Sequence, residues 1–422
     1  MTNRRAIAAL CAAVLLAPSL AQADEPPLGA NVETLLEYAR SNPEYASMRH
    51  EAEAAAQRIY PAGAFPDPVV RVELENITNA GSDARPSLLP NKVGDTKYTL
   101  MQSVPFFGKR GLRRDVAKAE AEQAQGRVAA TWAELASNIK TSYARYYAVV
   151  RNEELTREIL DLMTRLERIA AARYEGGLVP QQDAIRAQVE LTSMRGELVM
   201  LQSERESVRA TLNALLARRT SAPLAVPQRL RPIPAPVKLQ SDVLAERLQE
   251  RNPQLFTEDA RIRAADKGRE LTYRNRYPDF TVGVSPMQMG WRISEWMLMV
   301  EVNIPLQQES RRHQESEAEA MLSAARERKE AAANRLIGEL NENLAGLDAA
   351  LRIEALTTTS LLPQSQATFD SALAGYETGK IDFATLLDAQ RQIRRSKLDS
   401  LKAQVDAQVR LAAIERLLGE DL

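Results

Sequence analysis

The sequence repeats itself once, with a pair of short strand-like segments inside each copy. Four elements recur in the same order, 200 to 212 residues apart. They are Asn42-Pro43 and Asn252-Pro253, Phe65-Pro66-Asp67 and Tyr277-Pro278-Asp279, Val104-Pro105 and Ile304-Pro305, and Tyr174-Glu175-Gly176-Gly177 and Tyr376-Glu377-Thr378-Gly379. A period this long indicates duplication of a whole structural unit rather than a solenoid. Each copy is predicted to contain a helix, two strands and a long helical hairpin.

The predicted boundaries follow this duplication. Residues 1–23 have the charged, apolar and small-residue regions of a secretory signal peptide. The first repeat is predicted over 24–220, with strands at about 67–76 and 97–105 and a helical hairpin at about 109–218. A proline-rich linker follows at 221–239. The second repeat is predicted over 240–422, with strands at about 279–286 and 296–305 and a hairpin at about 309–418.

Charge and composition exclude several functional classes. Removing residues 1–23 takes away two positive charges and no negative ones, so the formal charge changes from −1 to −3, which does not favour nucleic acid. The single cysteine, Cys11, lies in the signal segment, and lipidation there would require a very short apolar region. We find no nucleophile paired with a histidine and no phosphate-binding loop. The sequence therefore predicts neither an enzyme nor a cofactor.

The helical segments are unusually long. No proline occurs between Lys109 and Arg173, and 65 helical residues would extend about 97 Å. The matching segment from Glu309 to Gly375 is interrupted only by Pro363, which is predicted to kink or break it. Helices of this length need neighbours along their whole length, and their polar content suits a wall with a wet face.

The strand-like segments alternate between apolar and polar residues. Trp296, Leu298 and Val300 alternate with Met297, Met299 and Glu301. This pattern is typical of outer-membrane barrels, and a small soluble sheet packed on helices would satisfy it equally. No stretch of about 18 apolar residues follows the signal segment, so no helix is expected to span a bilayer.

The number of strands bears on the assembly. Four strands cannot close a barrel in lipid, because the smallest transmembrane barrels have about eight and an open edge leaves backbone groups unpaired. Three copies would supply twelve. The predicted fold class is therefore mostly α with a small β part, completed as a homotrimer.

Two repeated patterns resemble the TolC-like outer membrane efflux protein family across the mature chain. They are the Asn-Pro pair near the start of each half, and Tyr174, Gly177 and Gln188, repeated as Tyr376, Gly379 and Gln390. The resemblance implies a trimeric, twelve-stranded outer-membrane β-barrel continuous with a long periplasmic α-helical barrel. It also implies a location in the outer membrane with an extension into the periplasm.

Two segments resemble family members associated with heavy-metal pumps of the resistance-nodulation-division type. They are residues 104–113, with the sequence VPFFGKRGLR, and residues 282–305, which contain Met287, Met289, Met297 and Met299. Thioether sulfurs suit soft ions such as Cu(I) and Ag(I), so Met297 and Met299 are candidate metal ligands. Methionine is also ordinary filler, and this alternative stays open.

The resemblance assigns the two hairpin turns to the periplasmic tips of the channel, where an adaptor protein docks. The predicted docking residues are Gly176, Gly177, Gly379 and Lys380. The glycines permit a tight chain reversal.

The resemblance also assigns a constriction to the helices beyond the turns. Asp388, twelve residues after Tyr376, matches a position that forms a ring of carboxylates in relatives. The other usual acidic position, nine residues after the tyrosine, is Thr385 here, whereas the first half has Asp183. These three residues are the candidates for the constriction, and a solvated helix aspartate is the alternative for Asp388.

The predicted function is a passive exit duct of a tripartite pump that exports heavy-metal cations such as copper or silver. Its predicted partners are two further copies of the chain, outer membrane lipid, a periplasmic adaptor and an inner-membrane resistance-nodulation-division pump. One alternative is a periplasmic coiled-coil adaptor or scaffold with a soluble sheet. Another is a family member that serves organic toxicants or protein secretion.

Overall fold

Helices form most of the chain and occur as two matching sets, one from each half. The computed structural model describes residues 28–77 and 86–422, so the predicted signal segment lies outside the described residues. The first set is α1 (Val32–Ala39), α2 (Pro43–Gln57), α3 (Ile59–Gly63), α4 (Lys109–Glu175) and α5 (Gln181–Leu215). The second set is α6 (Ser241–Arg251), α7 (Pro253–Arg274), α8 (Gln308–Leu356), α9 (Leu362–Glu377) and α10 (Phe383–Leu418). The predicted fold of mostly helical, duplicated units is confirmed.

The long helix differs between the two halves. In the first half, α4 runs for 67 residues without interruption. In the second half, a π-helical segment, Thr357–Leu361, separates α8 from α9, and Pro363 is the second residue of α9. Proline lacks an N–H and its ring collides with the carbonyl group four residues earlier, so a wider turn there accommodates it. The interruption predicted at Pro363 is confirmed.

Each half closes on itself through the Asn of its Asn-Pro pair. Asn42 caps α2 by accepting a backbone N–H at 2.7 Å, and its amide donates to the carbonyl of Leu215 at 2.8 Å. Asn252 caps α7 in the same way, and its amide donates to the carbonyl of Leu417 at 2.7 Å. The duplicated dipeptide therefore joins the start of one helix to the end of the returning helix in its own half.

The four strands form one antiparallel sheet. They are β1 (Val69–Glu75), β2 (Asp95–Val104), β3 (Asp279–Met289) and β4 (Arg292–Asn303), in the order β1-β2-β3-β4. The central pair β2–β3 joins the two repeats, with Met101 opposite Gly283. Strands β1 and β4 are the edges of the sheet, and each comes from a different repeat.

The hairpin between β3 and β4 is tighter than the sequence predicts. The predicted strands stop at 286 and start at 296, whereas the observed strands reach Met289 and begin at Arg292. Gly290 has φ +63°, so a two-residue turn at Gly290-Trp291 connects them. Strand β2 likewise begins at Asp95, two residues before its predicted start.

The core is divided into three clusters of buried side chains. One cluster lies within the first half and includes Leu35, Ile139 and Leu212. A second lies within the second half and includes Leu244 and Leu340. The third joins the ends of both hairpins, with contributions from α4, α5, α9 and α10. Each half therefore has its own cluster of buried side chains, and the two halves share the third cluster where the hairpin turns lie.

The linker is tied to the helices by hydrogen bonds and charge. Arg231 binds the Glu415 carboxylate through two hydrogen bonds of 3.1 and 2.9 Å. Lys140 of α4 reaches the same carboxylate at 2.7 Å, and the side chains of Lys140 and Glu415 are only 4% and 2% exposed. We call these three residues the buried ion network. It connects the first half, the linker and the second half in one place.

Candidate functional site at the hairpin tips

The first hairpin turn is a helix C-cap of the Schellman type. Gly177 has φ +67°, and its N–H donates to the carbonyl of Tyr174 at 2.9 Å. The N–H of Leu178 donates to the carbonyl of Arg173 at 2.8 Å. These two bonds satisfy carbonyl groups that α4 would otherwise leave unpaired, and the left-handed backbone favours glycine at position 177.

The second turn has the same geometry. Gly379 has φ +74°, and its N–H donates to the carbonyl of Tyr376 at 3.0 Å. The N–H of Lys380 donates to the carbonyl of Gly375 at 2.8 Å, and the Lys380 side chain is exposed. The duplication therefore extends to the hydrogen bonds of the turns.

Gly176 does not have the conformation expected of it. Its φ is −78°, which any residue adopts, and an added Cβ would meet the nearest atom at 3.5 Å. The reversal in the first turn therefore requires glycine at position 177 and not at 176, and Thr378 occupies the equivalent position in the second turn.

Arg173 connects the two turns. Its guanidinium donates to the carbonyl of Tyr376 and lies 5.1 Å from the centre of the Tyr376 ring. A side chain at position 379 would place its Cβ 2.8 Å from the same guanidinium. Arg173 thus bonds the end of α4 to the end of α9, and the glycine at 379 leaves room for it.

Tyr376 is buried beneath the turns. Its ring packs against Phe383 with the ring centres 5.5 Å apart, and the side chain is 1% exposed. Its hydroxyl has no hydrogen-bond partner among the described residues. Burial, and then the negative charge of Asp183, raise the pKa of this hydroxyl above its ordinary value of 10.0.

The candidate constriction residues lie in different environments. Asp183, in the first turn of α5, is only 6% exposed. Thr385 is exposed, and its hydroxyl and backbone N–H both donate to the Asp382 carboxylate, at 2.6 and 3.0 Å. Asp388 is exposed and lines a groove between α5 and α10. The three side chains therefore differ in exposure and in their hydrogen-bond partners.

The groove beside Asp388 has a volume of about 650 Å³ and is lined by both polar and apolar side chains. Exposed apolar side chains, Ile185 and Val189, lie on its α5 side. Arg391 of α10 donates to the carboxylate of Glu190 of α5 at 2.6 Å. A second pair, Arg394 and Glu197, links the same helices further along. Ion pairs between side chains therefore hold α5 and α10 together along this groove.

Several of these contacts were not predicted from the sequence. Arg173, Glu190, Arg391 and Asp382 were not identified as functional candidates. Only Asp382 has a local signal, because an Asp three residues before a Thr at a helix start indicates an N-cap. Arg173 and Glu190 each meet a partner about 200 residues away, and one sequence contains no signal for such pairs.

The candidate metal ligands lie on the sheet. Met297 and Met299 are half-buried on one face of β4, and Trp296 and Leu298 are exposed on the other. Within residues 28–77 and 86–422, no group of three or more His, Cys, Asp or Glu side chains is arranged to hold a metal ion. In the same ranges, the helices lack the combination of length and apolar character needed to cross a bilayer.

Comparison with solved structures identifies the fold. The outer-membrane channel OprN superposes with a TM-score of 0.78 at 18% identity, covering 92% of this chain and 89% of OprN. The outer membrane protein VceC from Vibrio cholerae superposes with a TM-score of 0.76 at 16% identity, covering 92% and 96%. A duplicated helical hairpin unit with a four-stranded sheet is thus the fold of outer-membrane channels.

Sequence comparison gives the family. The model of the outer membrane efflux protein family matches residues 35–218 and 244–420, and the chain belongs to this family. It is also 26% identical over 336 residues to the cobalt-zinc-cadmium resistance protein CzcC of Cupriavidus metallidurans, covering 76% of this chain and 77% of CzcC.

The family assignment decides between the predicted classes. The chain is an outer membrane efflux channel of the tripartite kind, located in the outer membrane and extending into the periplasm. Such channels work with adaptor proteins and inner-membrane pumps of the resistance-nodulation-division type, and they are passive. The periplasmic adaptor or scaffold is therefore the wrong alternative.

Proposed function

We propose that three copies of this chain close a twelve-stranded barrel in outer membrane lipid and form the passive exit duct for heavy-metal cations. The observation that carries this proposal is the sheet. Within residues 28–77 and 86–422, it has one apolar, exposed face and two edges with no paired strand. A sheet of this kind is incomplete as a single copy.

The apolar face has the composition of a lipid-facing surface. It includes side chains that are more than half exposed on the outer strands and on β2, namely Val70, Val72, Leu100, Trp296, Leu298 and Val300. In water such a patch would be unfavourable, whereas in lipid each of these residues is compatible with its surroundings. This supports the contact with outer membrane lipid.

The edges β1 and β4 support the trimer. Unpaired backbone groups cost several kcal/mol each in hydrocarbon, so the edges must pair with other strands. Because the two edges come from different repeats, β1 of one copy is free to pair with β4 of the next. Three copies give twelve strands, above the smallest barrels of about eight.

Heavy-metal cargo is supported by the relative CzcC, whose name describes resistance to cobalt, zinc and cadmium. Copper and silver are the finer proposal made from the methionines of the sheet. The acidic side chains on the inner face of β4, Glu295 and Glu301, suit cations of either kind.

The hairpin tips supply the docking and gating parts of this proposal. The turns at Gly176, Gly177, Gly379 and Lys380 are the docking surface for the adaptor. Asp388 faces the groove and is the leading constriction residue, with Thr385 and Asp183 as the other candidates. In this proposal α9 and α10, near residues 370–395, move to widen a closed end when the adaptor engages.

The proposal is tested by assembly and conductance. Purified protein in detergent should have the mass of three chains and should form pores in planar bilayers. A deletion strain should lose survival on copper, silver or zinc salts and regain it with the wild-type gene. A monomer that forms no pores would overturn the duct, and unchanged survival on all these metals would overturn the metal cargo.

Asp388→Ala should raise single-channel conductance or reduce the preference for cations, because it removes a negative charge from the proposed constriction. Planar bilayer recording in symmetric and graded KCl measures both quantities. Asp348→Ala is the matched control, since that aspartate lies on an exposed part of α8 beside Arg352. An Asp388→Ala channel identical to wild type in both respects would remove Asp388 from the constriction.

A further inference from the structure

One face of the sheet carries four methionines where a channel lining is expected to be polar. The register aligns Met101 and Met299 on either side of Gly283, and Met297 opposite Ser285. Met287 lies two residues further along β3 than Ser285, on the same face. We call Met101, Met287, Met297 and Met299 the methionine ladder. It faces away from the exposed apolar face described above.

Gly283 leaves room for the side chains of Met101 and Met299. An added Cβ at position 283 would lie 3.1 Å from the terminal methyl carbon of Met299 and 3.2 Å from Cγ of Met101. The two side chains thus occupy the space that a side chain at 283 would fill. Methionine has three rotatable bonds, so both sulfurs can turn toward one ion at this position.

Carboxylates lie at both ends of the ladder. On β4 the residues on this face are, in order, Glu295, Met297, Met299 and Glu301. Among the described residues, neither glutamate forms an ion pair. The cations on the same face, Arg71 and Lys97, share the single Glu73 carboxylate at 3.9 Å, so one positive charge remains against the two negative charges of Glu295 and Glu301. The potential at the ladder therefore favours a cation.

We infer that the methionine ladder binds a soft monovalent cation, Cu(I) or Ag(I), as it passes through the channel. Thioether sulfur is a neutral, soft donor that suits these monovalent ions. The acidic residues attract any cation, and the thioethers select among cations. This inference rests on the proposed function, because the ladder lines the duct only when three sheets close.

Ordinary packing does not explain the arrangement. Filler methionines lie between apolar neighbours, as Met163 and Met194 do in the core at the hairpin tips. The ladder instead lies beside the hydroxyls of Thr99 and Ser285, which bond each other at 2.9 Å. Apolar thioethers on a polar face are explained when they serve as ligands.

The test is a titration of the full-length protein in detergent with silver nitrate in chloride-free buffer, followed by calorimetry. Leucine matches methionine in volume, so Met101→Leu/Met299→Leu removes both sulfurs with little effect on packing. The double variant should bind Ag(I) at least about tenfold more weakly, since the loss of even an orienting neighbour costs 10- to 100-fold in metal affinity. Met200→Leu is the matched control, because Met200 is exposed on α5, and it should bind Ag(I) like wild type.

Two further measurements complete the test. Gly283→Ala keeps every sulfur but separates Met101 from Met299, and it should also weaken Ag(I) binding. In wild type, Ag(I) should protect the half-buried Met299, but not the exposed Met200, from oxidation by peroxide, as measured by mass spectrometry. This measurement uses only the wild-type protein, so it tests metal binding by the methionine ladder even if the variants fail to fold.

The outcomes separate this inference from the proposed function. Equal Ag(I) affinity in wild type and double variant, or no protection of Met299, would overturn metal binding by the methionine ladder even if the protein forms trimeric pores. Loss of Ag(I) affinity in the double variant with unchanged pore conductance supports it. If the wild-type protein forms neither trimers nor pores, the proposed duct is wrong. The Ag(I) titration then tests only whether the methionine ladder binds silver.

Discussion

A single carboxyl group, that of Asp382, fixes the start of α10 after the second turn. It accepts hydrogen bonds from the hydroxyl and the backbone N–H of Thr385, and these lower its pKa below the ordinary value of 3.8. A lowered pKa means that the ionised form is favoured by folding. The cap therefore stabilises α10 fully above about pH 4, and this contribution is lost as the pH falls through the lowered pKa.

We expect Asp382→Asn to abolish this pH dependence. Asparagine caps a helix about as well as aspartate but does not ionise. Hydrogen–deuterium exchange of peptides covering residues 383–387 should show protection that decreases below pH 3.8 in wild type and stays constant in the variant. Asp382→Ala, the control for capping itself, should lose protection at every pH. An identical pH response in wild type and Asp382→Asn would mean that another group titrates.

Single residues differ in how far they can be predicted from the sequence. The left-handed turns at Gly177 and Gly379 follow from the Tyr-x-x-Gly pattern, and the structure has both. Gly176 was grouped with them because two adjacent glycines give no indication of which one has positive φ. Arg173 could not be predicted, because its partner is a backbone carbonyl in the other half of the chain.

At the scale of elements, α4 and α7, which come from different halves, approach each other closely at Gly126. An added Cβ there would lie 2.4 Å from the Thr257 hydroxyl oxygen, 3.0 Å from the Phe256 ring and 3.3 Å from a backbone nitrogen. The helices pack at this distance only because position 126 has no side chain.

Gly126→Ala should therefore lower the free energy of unfolding by about 1–3 kcal/mol, the usual cost of overpacking. Urea unfolding of the assembled protein in detergent measures it. Gly111→Ala is the matched control on the same helix, because nothing lies within 4 Å of its added Cβ. Alanine favours a helix over glycine, so this control should be neutral or slightly stabilising. Equal shifts in the two variants would show that α4 and α7 do not limit each other at position 126.

The elements themselves were largely predictable from the sequence. The alternation in β4 and the proline-free run in α4 are local patterns; α4 begins at Lys109 as expected, whereas β4 begins at Arg292, four residues before its predicted start. The tight turn at Gly290-Trp291 was missed because Pro286 and several methionines obscure the alternation before it. The π-helical form of the break near Pro363 depends on packing against neighbouring helices, which a local pattern does not describe.

At the scale of the whole molecule, the buried ion network joins three parts of the chain. Glu415 is shared by Lys140 and Arg231, and removing its charge leaves Arg231 without this partner and Lys140 with only the exposed Asp421 carboxylate. Breaking one partner of a buried pair typically costs about 3–5 kcal/mol, far more than an exposed pair contributes.

Glu415→Gln should accordingly lower the free energy of unfolding by about 3 kcal/mol or more. The matched control is Glu342→Gln, which affects an exposed pair with Arg410 at 3.5 Å and should shift unfolding by at most about 0.5 kcal/mol. Urea unfolding followed by circular dichroism compares the two. A Glu415→Gln protein as stable as wild type would show that the network is dispensable for holding the halves together.

The relation between the halves was the least predictable feature. The duplication was readable from the sequence, but the contacts of the linker with α4 and α10 were not. Prolines in the linker indicate an extended spacer, whereas Arg231 and the carbonyl of Arg229 bond to both halves. Such contacts join residues more than 80 positions apart, and they depend on how the two repeats lie against each other.

The two unlike edges of the sheet have a genetic consequence. If β1 of each copy pairs with β4 of its neighbour, each junction in the proposed ring requires an intact β1 from one chain and an intact β4 from the next. A ring that contains one copy with a damaged edge strand then fails to close, even if its other two copies are intact. When half of the chains carry the damage, about one ring in eight is made entirely of intact chains, as random mixing in a three-fold assembly requires. A defective allele of this kind should therefore be dominant over the wild-type gene.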